Sequence, residues 1–269
     1  MRRWPAVCVC ACAALAAFRL PARAEISVVD GLTQQYTVKP GGVYEGSLHV
    51  RNLGDAVAHA RIYQTDYLFY CDGRNVYGKP GRDPRSNARW ITLERDRLTI
   101  PPHQTAAVNY TIRVSTARAL SGTYWSLVMI EEANPPPAFG KRGDLKPQVG
   151  IRQIVRYGVQ VVTHVGDTGA AKVNILREHV VRRSGKAFFE LDLANDGQRW
   201  IIPDVSLELF DRSGARAGVF HGRKMRIYPG TSIRQDLDLT GVAPGRYKGL
   251  IMIDGGGEDV FGSRATITL

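Results

Sequence analysis

The sequence predicts an all-β protein: two tandem immunoglobulin-like β-sandwich domains after a cleaved signal peptide. Three observations lead there. Apolar residues alternate with polar ones along most of the chain, turn signals rich in Gly and Pro separate the alternating runs, and the second half repeats the order of the first.

The amino terminus comes first. Arg2 and Arg3 precede an apolar run from Trp4 to Phe18, and Ala22-Arg23-Ala24 puts small residues at the −3 and −1 positions of a cleavage site. Residues 1–24 therefore read as a secretory signal peptide. Val9-Cys10-Ala11 before Cys12 is a lipoprotein-type alternative, with a very short apolar region. The apolar run is too short for a membrane span, and no later run approaches eighteen apolar residues, so no transmembrane segment is expected in the mature chain.

Cleavage removes four arginines and no acid, lowering the formal net charge from +11 to +7. That charge is spread out and favours anionic partners weakly; without a basic stripe carrying interleaved aromatics, nucleic acid is not expected. Cleavage also removes Cys8, Cys10 and Cys12. Cys71 remains alone, so no internal disulfide is available and a hydrophobic core must hold the fold. Cys71 itself reads as a reactive or intermolecular thiol or as a small core residue.

Domain 1 is expected over 25–165, a linker over 166–169 and domain 2 over 170–269. Residues 47–52 and 108–114 alternate in domain 1; residues 189–193, 205–209 and 235–239 alternate in domain 2. Such runs are strands with one buried face. Pro40-Gly41-Gly42, Asp72-Gly73, Asn195-Asp196-Gly197, Ser213-Gly214, Pro229-Gly230 and Pro244-Gly245 are turn signals. Ser115–Leu120 is the one place where a single helical turn is expected.

The repeat pairs Asn52 with Asn195, Pro101 with Pro229 and Tyr124 with Tyr247. In immunoglobulin-like domains a Tyr entering the sixth strand closes a corner by hydrogen bonding back to its backbone, so Tyr124 and Tyr247 are the candidates. "SGTYWSLVMIEE" (121–132) and "PGRYKGLIMIDG" (244–255) share the Gly, the Tyr and the apolar strand. Trp125, Ser126, Glu131 and Glu132 are peculiar to the first copy.

Three stretches exceed a minimal sandwich. Residues 70–93 hold Arg74, Tyr77, Arg82, Arg85, Arg89 and Trp90, a basic aromatic set for an acidic or glycan ligand, or a solvated loop with Trp90 plugging the core. Residues 131–150 carry Pro135-Pro136-Pro137, an extended polyproline segment. A long last strand follows, with Ile151, Gln153, Val155, Tyr157 and Val159 on one face and Gln160 on the other. It reads as an edge able to accept another chain by β-augmentation, or as an ordinary strand of the sandwich.

The six His show no metal-ligand spacing, and neither a G-x-S-x-G elbow nor an S-x-x-K motif occurs. Gly255-Gly256-Gly257 precedes no helix and reads as a hairpin loop, not a phosphate cradle. No cofactor, metal or catalytic activity is expected.

In "KPGGVYEGSLHVRN", "ARWITLERDRLTIPPHQTAAVNYTIRV" and "GTYWSLVMIEE", followed by the long strand, the chain resembles the periplasmic pilus-assembly chaperones. The resemblance implies a cleft between the domains and a last strand of domain 1 that pairs with an exported subunit. It also implies basic residues that anchor the subunit's terminal carboxylate; the matching positions here, Tyr36 and Gln160, are not basic. The expected function is a non-catalytic chaperone-like protein binding an exported, fimbrial or surface subunit. The alternative is an envelope module binding polysaccharide through the 70–93 loop.

Overall fold

The computed structural model describes residues 26–117, 119–133, 154–257 and 259–269. Within them the protein is two β-sandwiches in tandem, with separate cores.

In domain 1, β1 (Ile26–Val28), β3 (Val43–Asn52), β8 (Thr105–Arg113) and β6 (Ile91–Leu93) form one sheet, in the order β1-β3-β8-β6. The second sheet runs β2 (Thr33–Val38), β10 (Arg156–Val165), β9 (Gly122–Glu132), β4 (Ala58–Phe69) and β5 (Asn75–Gly78), with β7 (Arg97–Ile100) also on β4. Among the described residues only the pairing of β2 with β10 is parallel. The alternation seen in sequence becomes a core: Leu48, Val50, Val108, Ile112, Val128, Ile130, Val159 and Val161 are buried together between the sheets.

Domain 2 packs β11 (Val173–Arg183), β12 (Lys186–Asn195) and β15 (Ser232–Asp238) against β14 (Arg216–His221), β13 (Asp204–Phe210), β16 (Arg246–Asp254) and β17 (Val260–Thr268). Phe189, Leu191, Leu193, Leu207, Leu209 and Ile251 fill its core. On the outer face of the three-stranded sheet, Asp192 and Glu190 are buried under arginines. Arg234 reaches Asp192 from Nε at 2.7 Å, and Arg183 donates to Glu190 at 2.7 Å. Burial alone would push the Asp192 carboxyl up, but the hydrogen bond and charge of Arg234, with Arg177 beside it, hold it below the usual range.

The repeated Asn residues have one job in both domains. The Asn52 carboxamide accepts from Gly54 N–H and donates to the carbonyls of Ala56, Ile100 and Pro101. Asn195 accepts from Gly197 N–H and donates to the carbonyls of Arg199 and Ile227. Each side chain thus shapes its own turn and ties it to a loop distant in sequence, 48 residues on in domain 1 and 32 in domain 2. Both are fully buried, which makes these bonds costly to lose.

The corners differ. The Tyr247 hydroxyl donates to Ala243 O at 2.8 Å, the expected tyrosine corner. Tyr124 does not make that bond; its ring lies between Trp90 and the Arg85 guanidinium. Arg85 donates to Ser121 O instead, so an arginine from the long loop closes the corner of domain 1.

At the expected helical turn, Arg118 lies outside the described residues; around it Leu120 N–H donates to Ala117 O at 3.4 Å, Ser115 O accepts from Gly41 N–H, and the Ser115 hydroxyl accepts from Ala117 N–H. The only helical segment among the described residues is the short 3-10 turn Ala88–Trp90. No helix among them is long and apolar enough to cross a membrane. Residues 1–24, read as the signal peptide, lie outside the described residues, as do Ile151, Gln153 and most of the Pro-rich stretch.

Candidate functional site

The last strand of domain 1 is not a free edge along its whole length, which corrects the sequence expectation. From Gln160 to Val165 it is covered by β2, from Thr33 to Val38. The cover begins where Gln160 N–H donates to Leu32 O at 2.9 Å. Side-chain and backbone directions alternate along a strand, so the N–H and C=O groups of Arg156 and Gly158 point the same way as those of Gln160. They face a lane in which no strand lies among the described residues. Exposed Leu32 and Ile154 flank it.

The other edge of β10 is fully paired with β9, from Arg156 on Glu131 to Val165 on Gly122. This places the predicted residues. Val159 is fully buried in the core and presents nothing outward. Tyr157 packs against the same core, and its hydroxyl donates to Ile26 O at 3.0 Å. Tyr36 is also turned to the core side, where its hydroxyl meets that of Tyr110 at 2.7 Å. Burial and that contact raise the Tyr110 phenol well above its ordinary range. Val155 is half-buried, and its carbonyl accepts from Glu132 N–H.

The outward face carries the exposed chemistry. Pairing aligns Arg156–Glu131–Arg61, then Gly158–Met129–Tyr63, then Gln160–Leu127–Thr65 in rows across β10, β9 and β4. Tyr67 and Tyr77 close the far side, their rings 5.3 Å apart. Apart from Arg61 and Glu131, these residues line a groove of about 420 Å³ beside the open lane. At one end the Tyr63 hydroxyl donates to Glu131, which also pairs with Arg156.

At the other end is a basic residue that sequence matching missed, because domain 2 supplies it. Arg226 lies with its guanidinium 4.3 Å over the Trp200 ring. Its Nη1 donates to Gln160 Oε1 at 3.2 Å and to Thr33 Oγ1 at 3.3 Å. Its buried Nε has no hydrogen-bond partner, and no carboxylate pairs with it among the described residues. Neutral acceptors alone do not balance a partly buried guanidinium, so the position favours an anion. Gln160 also accepts from the Tyr228 hydroxyl at 2.5 Å. The sequence signal was the alternation of Arg226 and Tyr228 before Pro229-Gly230, which gives both one side.

The domains meet at the stretch peculiar to domain 1. Trp125 stacks on Tyr228 and donates from Nε1 to Tyr67 O at 2.7 Å. Thr123 N–H donates to Gln198 O at 2.8 Å, and Trp200 N–H donates to Thr123 Oγ1 at 3.1 Å. His164 lies 3.1 Å from that hydroxyl and tilts onto Trp200. Burial first, then the charges of Arg199 and Arg226, hold the His164 pKa below its ordinary value. Ser126 donates to the buried Asn87. Cys71 is half-buried beside the interface, its N–H donating to Ser232 Oγ at 3.0 Å.

The basic aromatic set of the 70–93 loop does not converge. Arg74 pairs with Asp72 and lies over Tyr70, and Tyr77 belongs to the groove. Arg85 and Trp90 serve the corner, whereas Arg82 and Arg89 are exposed. Asp66, almost fully buried, folds this loop by accepting from the N–H groups of Gly81, Arg82 and Asp83 and from the Ser86 hydroxyl. No group of three His, Cys, Asp or Glu able to hold a metal occurs among the described residues.

No family model matches the sequence, and no curated protein matches it. Among solved structures the chain is similar to a chain of the chaperone–tip adhesin complex of CFA/I fimbriae biogenesis, at 12% identity, 91% and 99% coverage of the two chains and a TM-score of 0.49. It is similar to the class 5 fimbriae chaperone CfaA, at 12% identity, 91% and 99% coverage and a TM-score of 0.47. It is also similar to a chain of the CsuC–CsuE chaperone–tip adhesion subunit complex from Csu pili of Acinetobacter baumannii, at 11% identity, 91% and 99% coverage and a TM-score of 0.45.

Proposed function

We propose that the protein is a non-catalytic periplasmic chaperone that holds an exported subunit by pairing an extended segment with β10. One observation carries this reading: β2 covers β10 only from Gln160 onward, leaving the outward N–H and C=O of Arg156 and Gly158 facing an open lane. Unpaired strand edges are templates for another chain. The lane runs toward Arg226, a guanidinium whose hydrogen bonds go only to the neutral Gln160 and Thr33, which suits a carboxylate of the bound segment. The anchor that the family resemblance implies is then contributed by domain 2 through Gln160, in place of basic residues at Tyr36 and Gln160. The signal peptide reading fits the compartment, since such a segment is met after export.

The test is co-purification from the periplasm with an exported subunit encoded beside this chain. Arg156→Pro removes one outward donor, and an edge strand tolerates proline where the N–H faces out. This variant is expected to fold and to lose the subunit. Arg226→Ala is expected to weaken capture by about tenfold or more, as for loss of one member of a hydrogen-bonded charge pair. Undiminished co-purification with folded Arg156→Pro defeats the strand-pairing reading.

A further inference from the structure

We infer that the open lane selects a segment carrying an aromatic side chain at the residue paired with Gly158. The inference rests on the strand-pairing reading and concerns which segment is chosen.

Gly158 sits on the outward face between Arg156 and Gln160. With no side chain of its own, it opens a slot from the lane to the second strand. A Cβ built there comes within 3.1 Å of Leu127 Cδ1 and 3.3 Å of Met129 Sδ, so those two side chains form the slot's floor. Both belong to β9, one strand further in, and both are almost fully buried. Beyond them stand Tyr63, Thr65, Tyr67 and Tyr77. A residue paired with Gly158 has no side chain from that position between it and the tips of Leu127 and Met129.

Flat, rigid side chains suit this shape. An aromatic ring laid over a cross-strand glycine covers exposed backbone that the glycine leaves bare. It also meets the Met129 thioether, a favoured sulfur–ring contact. Small residues leave the slot unfilled. The ends of the groove limit the choice further. Glu131 is already neutralised by Arg156 and Tyr63, whereas Arg226 lacks an acid. A ring flanked on the Gln160 side by negative charge therefore complements the surface better than one flanked by positive charge.

Two blocked peptides test this, Lys-Thr-Val-Thr-Xaa-Thr-Val-Thr-Lys with Xaa either Phe or Ala. Blocking removes the terminal carboxylate, so Arg226 is not the variable. The full-length mature protein is expected to bind the Phe peptide about tenfold more tightly, the scale of burying one aromatic side chain. Gly158→Val fills the slot against the ends of two flexible side chains. It is expected to abolish the preference while holding the Ala peptide within about twofold of the parent. Gly158→Ala, the milder change, is expected to reduce the preference and serves if the valine variant does not fold. Equal binding of both peptides by the parent overturns the slot and leaves strand pairing standing. A preference that persists in the folded variants also overturns the slot. Binding of neither peptide overturns both readings.

Discussion

Trp125 of domain 1 stacks face to face on Tyr228 of domain 2, with ring centroids 4.4 Å apart and planes 11° from parallel. Both rings are almost fully buried. Offset stacking of two large rings adds to the area they bury, and here it joins two separate cores. Trp125→Ala is expected to cost about 3–5 kcal/mol, the usual range for a buried Trp. Because the loss falls on the junction, calorimetry should show one unfolding transition resolving into two. A single transition, merely lowered, contradicts the coupling role.

Gly122 allows the domains to approach. Its φ is +77°, and a Cβ there falls 2.0 Å from Gln198 O, on backbone that cannot swing aside. Gly122→Ala is expected to break the adjoining Thr123–Gln198 hydrogen bond. Gly214, at φ +86° with open space around it, is the control. Gly214→Ala pays only the left-handed strain, about 1 kcal/mol. The denaturation midpoint should fall at least twice as far for Gly122→Ala; equal shifts refute the clash.

Acidification should loosen the same junction. The His164 pKa is held below 6.5 in the folded state, so the unfolded chain binds its proton first as pH falls. The contribution of neutral His164 is complete above about 6.5 and is lost as pH drops through the lowered folded value. Thermal midpoints should decline between pH 7.5 and pH 5, with a shallower decline in His164→Asn. Parallel declines assign the effect elsewhere.

Asn52→Ala and Asn195→Ala each leave buried carbonyls and a turn N–H without their side-chain partner. Each is expected to cost about 2–4 kcal/mol, from the penalty of unsatisfied buried groups. Hydrogen exchange should rise mainly in the domain that carries the change. Equal effects in both domains exclude independent clamps.

Asp66→Ala removes the acceptor for three N–H groups of the 79–87 loop. Limited trypsin digestion should then cut at Arg82, Arg85 or Arg89, sites held folded in the parent. An unchanged digestion pattern refutes Asp66 as the organiser.

The strands were legible because burial imposes period two, and the repeat was legible because Asn52 and Asn195 solve one local problem twice. Tyr247 followed the corner rule for the same reason. Tyr124 departs from it: its ring packs on Trp90 and Arg85, and Arg85, distant in sequence, binds the neighbouring Ser121 carbonyl. The site was harder to read. Val159 and Gly158 look equivalent in an alternating run until the register says which one faces the core. Arg226 was invisible to matching against single strands, since its partner Gln160 lies in the other domain. Loop residues 74–90 looked like one basic patch, yet their contacts scatter them among a hairpin, a corner and solvent.

β10 runs unbroken from the open lane at Arg156 to the junction at Val162 and Val165. Its ladder to β9 spans ten consecutive pairs. Tension on a segment lying along the Arg156–Gly158 edge therefore loads that ladder lengthwise, in shear, where many bonds resist together. On the proposed strand pairing, the short contact with the bound segment would yield first, and the protein would come off its cargo without being unravelled by it.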